Sequence, residues 1–162
     1  MEAELPKRKP IRLKEFDYSA GYAYFITICT KDRRNYFWND VGATIGRPQD
    51  VPLTDYGKIA DSAINNISEI YPTVFIETYV IMPNHIHLII RIDGEDENGR
   101  PMVAPTIDRI IKQFKGYVSK TVNEQIWQKR FYDHVIRGRE DYEEISRYIY
   151  ENPENWEKDE LY

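Results

Sequence analysis

The chain has 162 residues, 41% hydrophobic and 30% charged, which is the make-up of one folded globular domain rather than a disordered segment. No apolar run approaches the roughly 20 residues of a membrane helix, and MEAELPKRKP lacks the apolar core of a secretory signal, so a cytoplasmic protein with no membrane partner is expected. A lone cysteine, Cys29, excludes an internal disulfide and a cysteine-built zinc site, and the net charge of −5 argues against a strongly adhesive, nonspecific nucleic-acid binder.

That charge is unevenly spread. Residues 1–34 carry eight basic against five acidic groups, and 105–139 carry eight against three, whereas 35–104 carry four against ten and the tail from 140 two against nine. Two basic segments therefore sit inside an acidic protein; on charge alone they read first as ordinary solvated faces.

Residues 22–29 (YAYFITIC) are β-branched and aromatic and run into the turn-like Lys31-Asp32-Arg33-Arg34, which predicts a first strand. A connection rich in Gly, Pro and Asp follows. From Thr54 the apolar positions Tyr56, Ile59, Ala60, Ala63, Ile64, Ile67 and Ile70 recur at helical spacing up to Pro72. Residues 74–81 (VFIETYVI) and 85–92 (HIHLIIRI) predict two strands joined by the short turn Met82-Pro83-Asn84, hence an antiparallel hairpin. The stretch 93–104 lacks periodicity and reads as a loop. A second helix should open near Pro105-Thr106 and bury Ile107, Ile110, Ile111, Phe114, Val118 and Val122. A fourth strand fits Phe131–Ile136. After Gly138 the acidic Glu140-Asp141 suits a helix N-terminus, and Asn152-Pro153 stops that helix. The order strand, helix, strand, strand, helix, strand, helix is the α+β, ferredoxin-like split βαβ pattern: an antiparallel sheet with helices packed on it, plus a C-terminal helix. One domain over 1–162 is expected, its core at about 12–156, with 1–11 and 157–162 flexible.

Within the third strand, residues two apart share a face. His85 and His87 therefore project together, opposite the core-facing Ile86, Leu88, Ile90 and Ile92. Two imidazoles at this spacing can grip one metal ion and leave positions open for substrate oxygens. Two half-exposed strand histidines in ordinary hydrogen bonds would give the same pattern, but only three histidines occur in the chain and two of them are here.

The run Val80-Ile81-Met82-Pro83-Asn84-His85-Ile86-His87-Leu88-Ile89-Ile90 resembles the signature of the single-tyrosine HUH transposases. The resemblance spans about residues 12–156. Tyr22 to Thr30 resembles the family's first strand, and Gln113-Phe114-Lys115-Gly116-Tyr117 its nucleophile helix. Trp127-Gln128-Lys129-Arg130-Phe131-Tyr132-Asp133-His134 and Tyr148-Ile149-Tyr150-Glu151-Asn152-Pro153 resemble C-terminal elements of the REP-associated tyrosine transposase branch.

The resemblance implies a divalent ion, Mg2+ or Mn2+, on His85 and His87, and a helix-borne tyrosine that attacks single-stranded DNA to form a reversible 5′-phosphotyrosine link. Tyr117 is the expected nucleophile, at the border of its helix's buried face, with Tyr132 the next candidate. Relatives place a metal-helping polar residue one turn after the tyrosine; here that position is Thr121, and Gln113 is a candidate third ligand instead. Lys112, Lys115, Lys120, Lys129, Arg130, Arg137 and Arg139 are expected phosphate contacts, with Tyr132 or Trp127 available to stack on bases. His134 is expected in a hydrogen-bonding core role. The expected partner is single-stranded or hairpin DNA, bound by a monomer or a homodimer. Two other readings stand beside cleavage: a domesticated, non-cleaving DNA-binding module of the same fold, and a ferredoxin-like regulatory or metal-binding domain.

Overall fold

The computed structural model describes residues 22–39, 52–94 and 105–156. The N-terminal basic segment before residue 22, most of the Gly/Pro/Asp-rich connection, the loop from 95 to 104 and the tail from 157 lie outside the described residues.

Four strands, β1 (Tyr22–Cys29), β2 (Val74–Ile81), β3 (His85–Ile92) and β4 (Tyr132–Val135), form one sheet in the order β2-β3-β1-β4, with every neighbouring pair antiparallel. Three helices, α1 (Asp55–Ile70), α2 (Ile107–Val122) and α3 (Arg139–Glu151), complete the ferredoxin-like α+β fold with its C-terminal helix. The expected boundaries hold to within a residue or two, because the punctuation is chemical. Thr54 and Thr106 cap α1 and α2 by accepting the N–H of Gly57 and Arg109, and Asn123 ends α2 in the left-handed conformation that asparagine tolerates. Gly138 precedes α3 at φ +96, where a side chain would be strained.

The two faces of the sheet are covered differently. On one face Ile26 and Ile28 of β1 pair with Leu88 and Ile86 of β3, all fully buried. This face carries α1, whose Asp61 accepts a hydrogen bond from Tyr79 Oη of β2 at 2.6 Å, and α2, which packs beside α1. Each such aliphatic side chain contributes about 1.5–3 kcal/mol by burial. On the opposite face Phe25, Thr27, His85, His87 and Ile89 line up across β1 and β3, and α3 lies over β2 and β3. Both sides of β3 are therefore covered, and a strand that alternation suggested was half open is buried almost throughout. A one-residue shift between Ile76 and Thr78 in the pairing of β2 with β3 leaves Glu77 at the irregularity, where it takes Arg91 Nε at 2.8 Å. Among the described residues, no helix is long and apolar enough to cross a membrane.

Candidate active site

His85 and His87 stand side by side on β3, ring centroids 4.5 Å apart, as their spacing predicted. Their surroundings differ from the expectation. Instead of facing open solvent, they are 0% and 3% exposed, because α3 and the residues after it lie over them. Trp156 sits 5.8 Å from the His85 ring and Tyr148 5.2 Å from the His87 ring, centroid to centroid. The Tyr148 hydroxyl is 3.4 Å from His87 Nε2. Each ring is also held on its other nitrogen: His85 Nδ1 lies 2.7 Å from Asn84 Oδ1, and His87 Nδ1 lies 2.8 Å from Thr27 Oγ1. Phe25 stacks on His87 at 5.3 Å and turns its edge toward Tyr132 and Tyr148, which makes an aromatic floor of residues from four elements.

Burial, reinforced by the neighbouring His85, holds the His87 imidazole well below its usual pKa of 6.5, so the ring is neutral, the form that binds metals. The same shift has a stability consequence. The unfolded chain takes up a proton near pH 6.5 that the folded His87 refuses, so the contribution is intact above that pH and is lost as pH falls below it. In chelator-treated protein, thermal unfolding followed by circular dichroism should show stability declining below pH 6.5, by up to about 1.4 kcal/mol per pH unit. His87→Gln should flatten that slope; a wild-type profile flat from pH 8 to pH 5 would contradict it.

The structure does not bring the other expected site residues to the histidines. Tyr117 is 54% exposed on α2, in the helix layer on the far face of the sheet, and Thr121 there donates its hydroxyl to the Tyr117 carbonyl. Gln113, also on α2, accepts the Tyr71 hydroxyl at the end of α1. Lys115 is occupied structurally: Nζ donates to the carbonyls of Gln128 (2.8 Å) and Arg130 (3.2 Å), and burial lowers its pKa. Trp127 packs on Phe37 and Phe114 and donates to the Lys115 carbonyl, so it braces the core instead of offering a free ring for stacking. Lys112, Lys120, Lys129, Arg130 and Arg137 are exposed. Arg139 is exposed and pairs with Glu143 one turn on. His134 is half-buried and bonds Asp141 in the first turn of α3 at 2.9 Å, the hydrogen-bonding role expected of it but at the rim of the core.

The residues that sequence reasoning missed are Thr27, Asn84, Tyr148 and Trp156. Tyr148 had a signal in the family-like run Tyr148-Ile149-Tyr150-Glu151-Asn152-Pro153, but nothing in that run says that it meets the histidines. Among the described residues, no three His, Cys, Asp or Glu side chains gather into a metal cage.

No protein-family model matches this chain. A Haemophilus influenzae protein described as a REP-associated tyrosine transposase is 32% identical over 146 residues, covering 85% of this chain and 73% of that protein. The chain belongs to the REP-associated tyrosine transposase family. An Escherichia coli REP-associated tyrosine transposase is 28% identical over 137 residues, covering 84% of this chain and 68% of its own length. A second H. influenzae protein, uncharacterized, is 34% identical over 179 residues, with 99% and 96% covered. The fold agrees: a solved REP-associated tyrosine transposase, bound to a REP hairpin, superposes with a TM-score of 0.59 at 24% identity, over 83% of this chain and 67% of that one.

Proposed function

We propose that this protein is a metal-dependent single-stranded DNA endonuclease and strand transferase of the cytoplasm, acting on hairpin-forming DNA, with Tyr148 rather than Tyr117 as its nucleophile. The observation that carries the reading is the Tyr148 hydroxyl 3.4 Å from His87 Nε2, on a side chain still 45% exposed and so reachable by a substrate phosphate. The phenol oxygen would attack phosphorus, forming the 5′-phosphotyrosine bond while the bond to the departing 3′-oxygen breaks and leaves a 3′-hydroxyl. Attack by that hydroxyl reverses the step with no external energy source.

The donor set fits a divalent ion. Both rings use Nδ1 on protein partners and turn Nε2 away from them, and His87 is neutral. Asn152, buried and one turn beyond Tyr148, is the amide best placed in sequence to add a third ligand in place of Gln113. Mg2+ or Mn2+ bound there would supply Lewis acidity toward a phosphate oxygen. The chain's own residues do the rest: α3 presents the phenol, Phe25 and Trp156 limit water, and Tyr132, 59% exposed beside Phe25, offers a ring to an unpaired base. Cationic ground for phosphates would be a depression of about 820 Å³ between the Lys31–Arg33 turn and Gln125–Lys129, lined by Lys31, Arg33 and Lys129 together with Asp32, with Lys120 in the adjoining one.

The near-complete burial of both histidines favours a second reading, a DNA-binding module that no longer cleaves. A labelled hairpin oligonucleotide with a single-stranded flank separates the two. The expected result is binding tighter than to blunt duplex, with a modest salt slope, and a covalent protein–DNA adduct in manganese. Binding without adduct selects the non-cleaving module; equal affinity for blunt duplex and hairpin at physiological salt removes both.

A further inference from the structure

We infer that Asn84 fixes the tautomer of His85, and with it the nitrogen that this ring offers to a divalent cation; the inference rests on the metal-binding reading above. Asn84 is buried in the turn between β2 and β3, and its side chain has two polar ends with different neighbours. Nδ2 lies 3.4 Å from the Arg33 carbonyl oxygen, while Oδ1 lies 2.7 Å from His85 Nδ1. A carbonyl oxygen can only accept, so the end facing Arg33 has to be the NH2 group; the flipped amide would set two oxygens against each other. The end facing His85 is then an acceptor, and the Nδ1 it meets carries the proton. In the neutral ring the lone pair is left on Nε2.

The orientation is anchored from both sides. The Thr30 N–H donates to the Asn84 carbonyl at 3.0 Å, and the Met82 N–H donates to the His85 carbonyl at 2.8 Å, so the backbone that carries Asn84 and His85 is held across the hairpin and to the end of β1. His87 is served by a different chemistry. Its Nδ1 meets the Thr27 hydroxyl, which can donate or accept and so imposes no tautomer by itself. Of the two contacts only the amide is directional. Asn84 is thus a positioning residue that acts through His85, and the Lys31–Arg33 turn, whose last carbonyl orients it, is the outermost member of the same arrangement.

The test needs no turnover. In metal-free protein labelled with 15N-histidine, long-range 15N–1H correlation should show His85 in the Nδ1–H form in wild type and in Asn84→Asp, which keeps the accepting oxygen. Asn84→Ala should move His85 toward the Nε2–H form. Manganese titration calorimetry should show affinity weakened about 10- to 100-fold in Asn84→Ala and largely retained in Asn84→Asp. Wild-type His85 in the Nε2–H form overturns the inference, as does an Asn84→Ala protein with unchanged tautomer and manganese affinity. If Asn84→Ala fails to fold, the wild-type and Asn84→Asp spectra still decide. A wild type that shows Nδ1–H but binds no manganese overturns the metal-binding reading while upholding the tautomer assignment.

Discussion

Tyr148→Phe is expected to abolish both hairpin cleavage and the covalent protein–DNA adduct while leaving hairpin binding within about twofold, since it removes one hydroxyl and keeps the ring that packs on Phe25 and His87. The hydroxyl's contact with His87 is long and the side chain is part exposed, so the loss of folding stability should be no more than about 1 kcal/mol. A phenol with a pKa near 10 is a weak nucleophile at neutral pH, so the step would depend on Lewis acidity at the phosphate from an ion held by His85 and His87; with His87 Nε2 engaged as a ligand, solvent would take the phenol proton as the bond to phosphorus forms. Tyr117→Phe, on the far face of the sheet, is expected to cleave like wild type. Denaturing gel electrophoresis of a labelled hairpin reads both variants at once. Disappearance of the adduct in Tyr117→Phe would return the nucleophile to α2; an adduct that persists in both Tyr148→Phe and Tyr117→Phe would move it to another tyrosine, with Tyr132 the next to test.

The second large effect is expected at the histidines. The double variant His85→Ala/His87→Ala should lose measurable manganese binding by calorimetry. Cleavage should fall by at least about a thousandfold, the size of several kcal/mol of charge stabilisation withheld from the reacting phosphate. Both rings are buried, so the double variant also leaves cavities, at about 2–5 kcal/mol for each large-to-small change. Wild-type protein with and without chelator supplies the control that folding cannot confound: cleavage should vanish on chelation and return with manganese. Cleavage that persists in chelator, from protein shown to be metal-free, would make the pair structural.

The sequence was a good guide wherever a local rule operated. The Thr caps of α1 and α2, the alternation in β3 and the short Met82-Pro83-Asn84 turn all act over a few residues, and each element appears where those signals put it. The pairing of His85 with His87 was legible for the same reason. What could not be read was which side chains come from far away to meet them. Thr27 reaches His87 because the register sets those two residues opposite each other, and Tyr148 reaches it because α3 packs on the face that α1 and α2 leave free. Helix periodicity places Tyr117 correctly at the edge of its buried stripe, yet periodicity does not say which layer the helix joins. The charge pattern is similarly blind to partners at one position. Lys115 is counted as a cation in sequence, but in the fold its ammonium group is spent on two backbone carbonyls.

The floor beneath the candidate nucleophile is drawn from β1, β3, β4 and α3, and its two hydrogen-bonded links, Thr27 to His87 and His87 to Tyr148, span sixty and sixty-one residues of chain. Closing a loop of that length costs about 3.6 kcal/mol in chain entropy beyond the fixed initiation term, and it must be met for each link before any ring contact is gained. The β2–β3 hairpin can set His85 beside His87 and Asn84 by itself, but Thr27 and Tyr148 join them only once some sixty residues of chain on either side have folded. The complete centre, from Thr27 through His87 to Tyr148, needs β1, β3 and α3 in place together, so a substitution that loosens any one of them, however remote, lowers the population in which all three side chains meet.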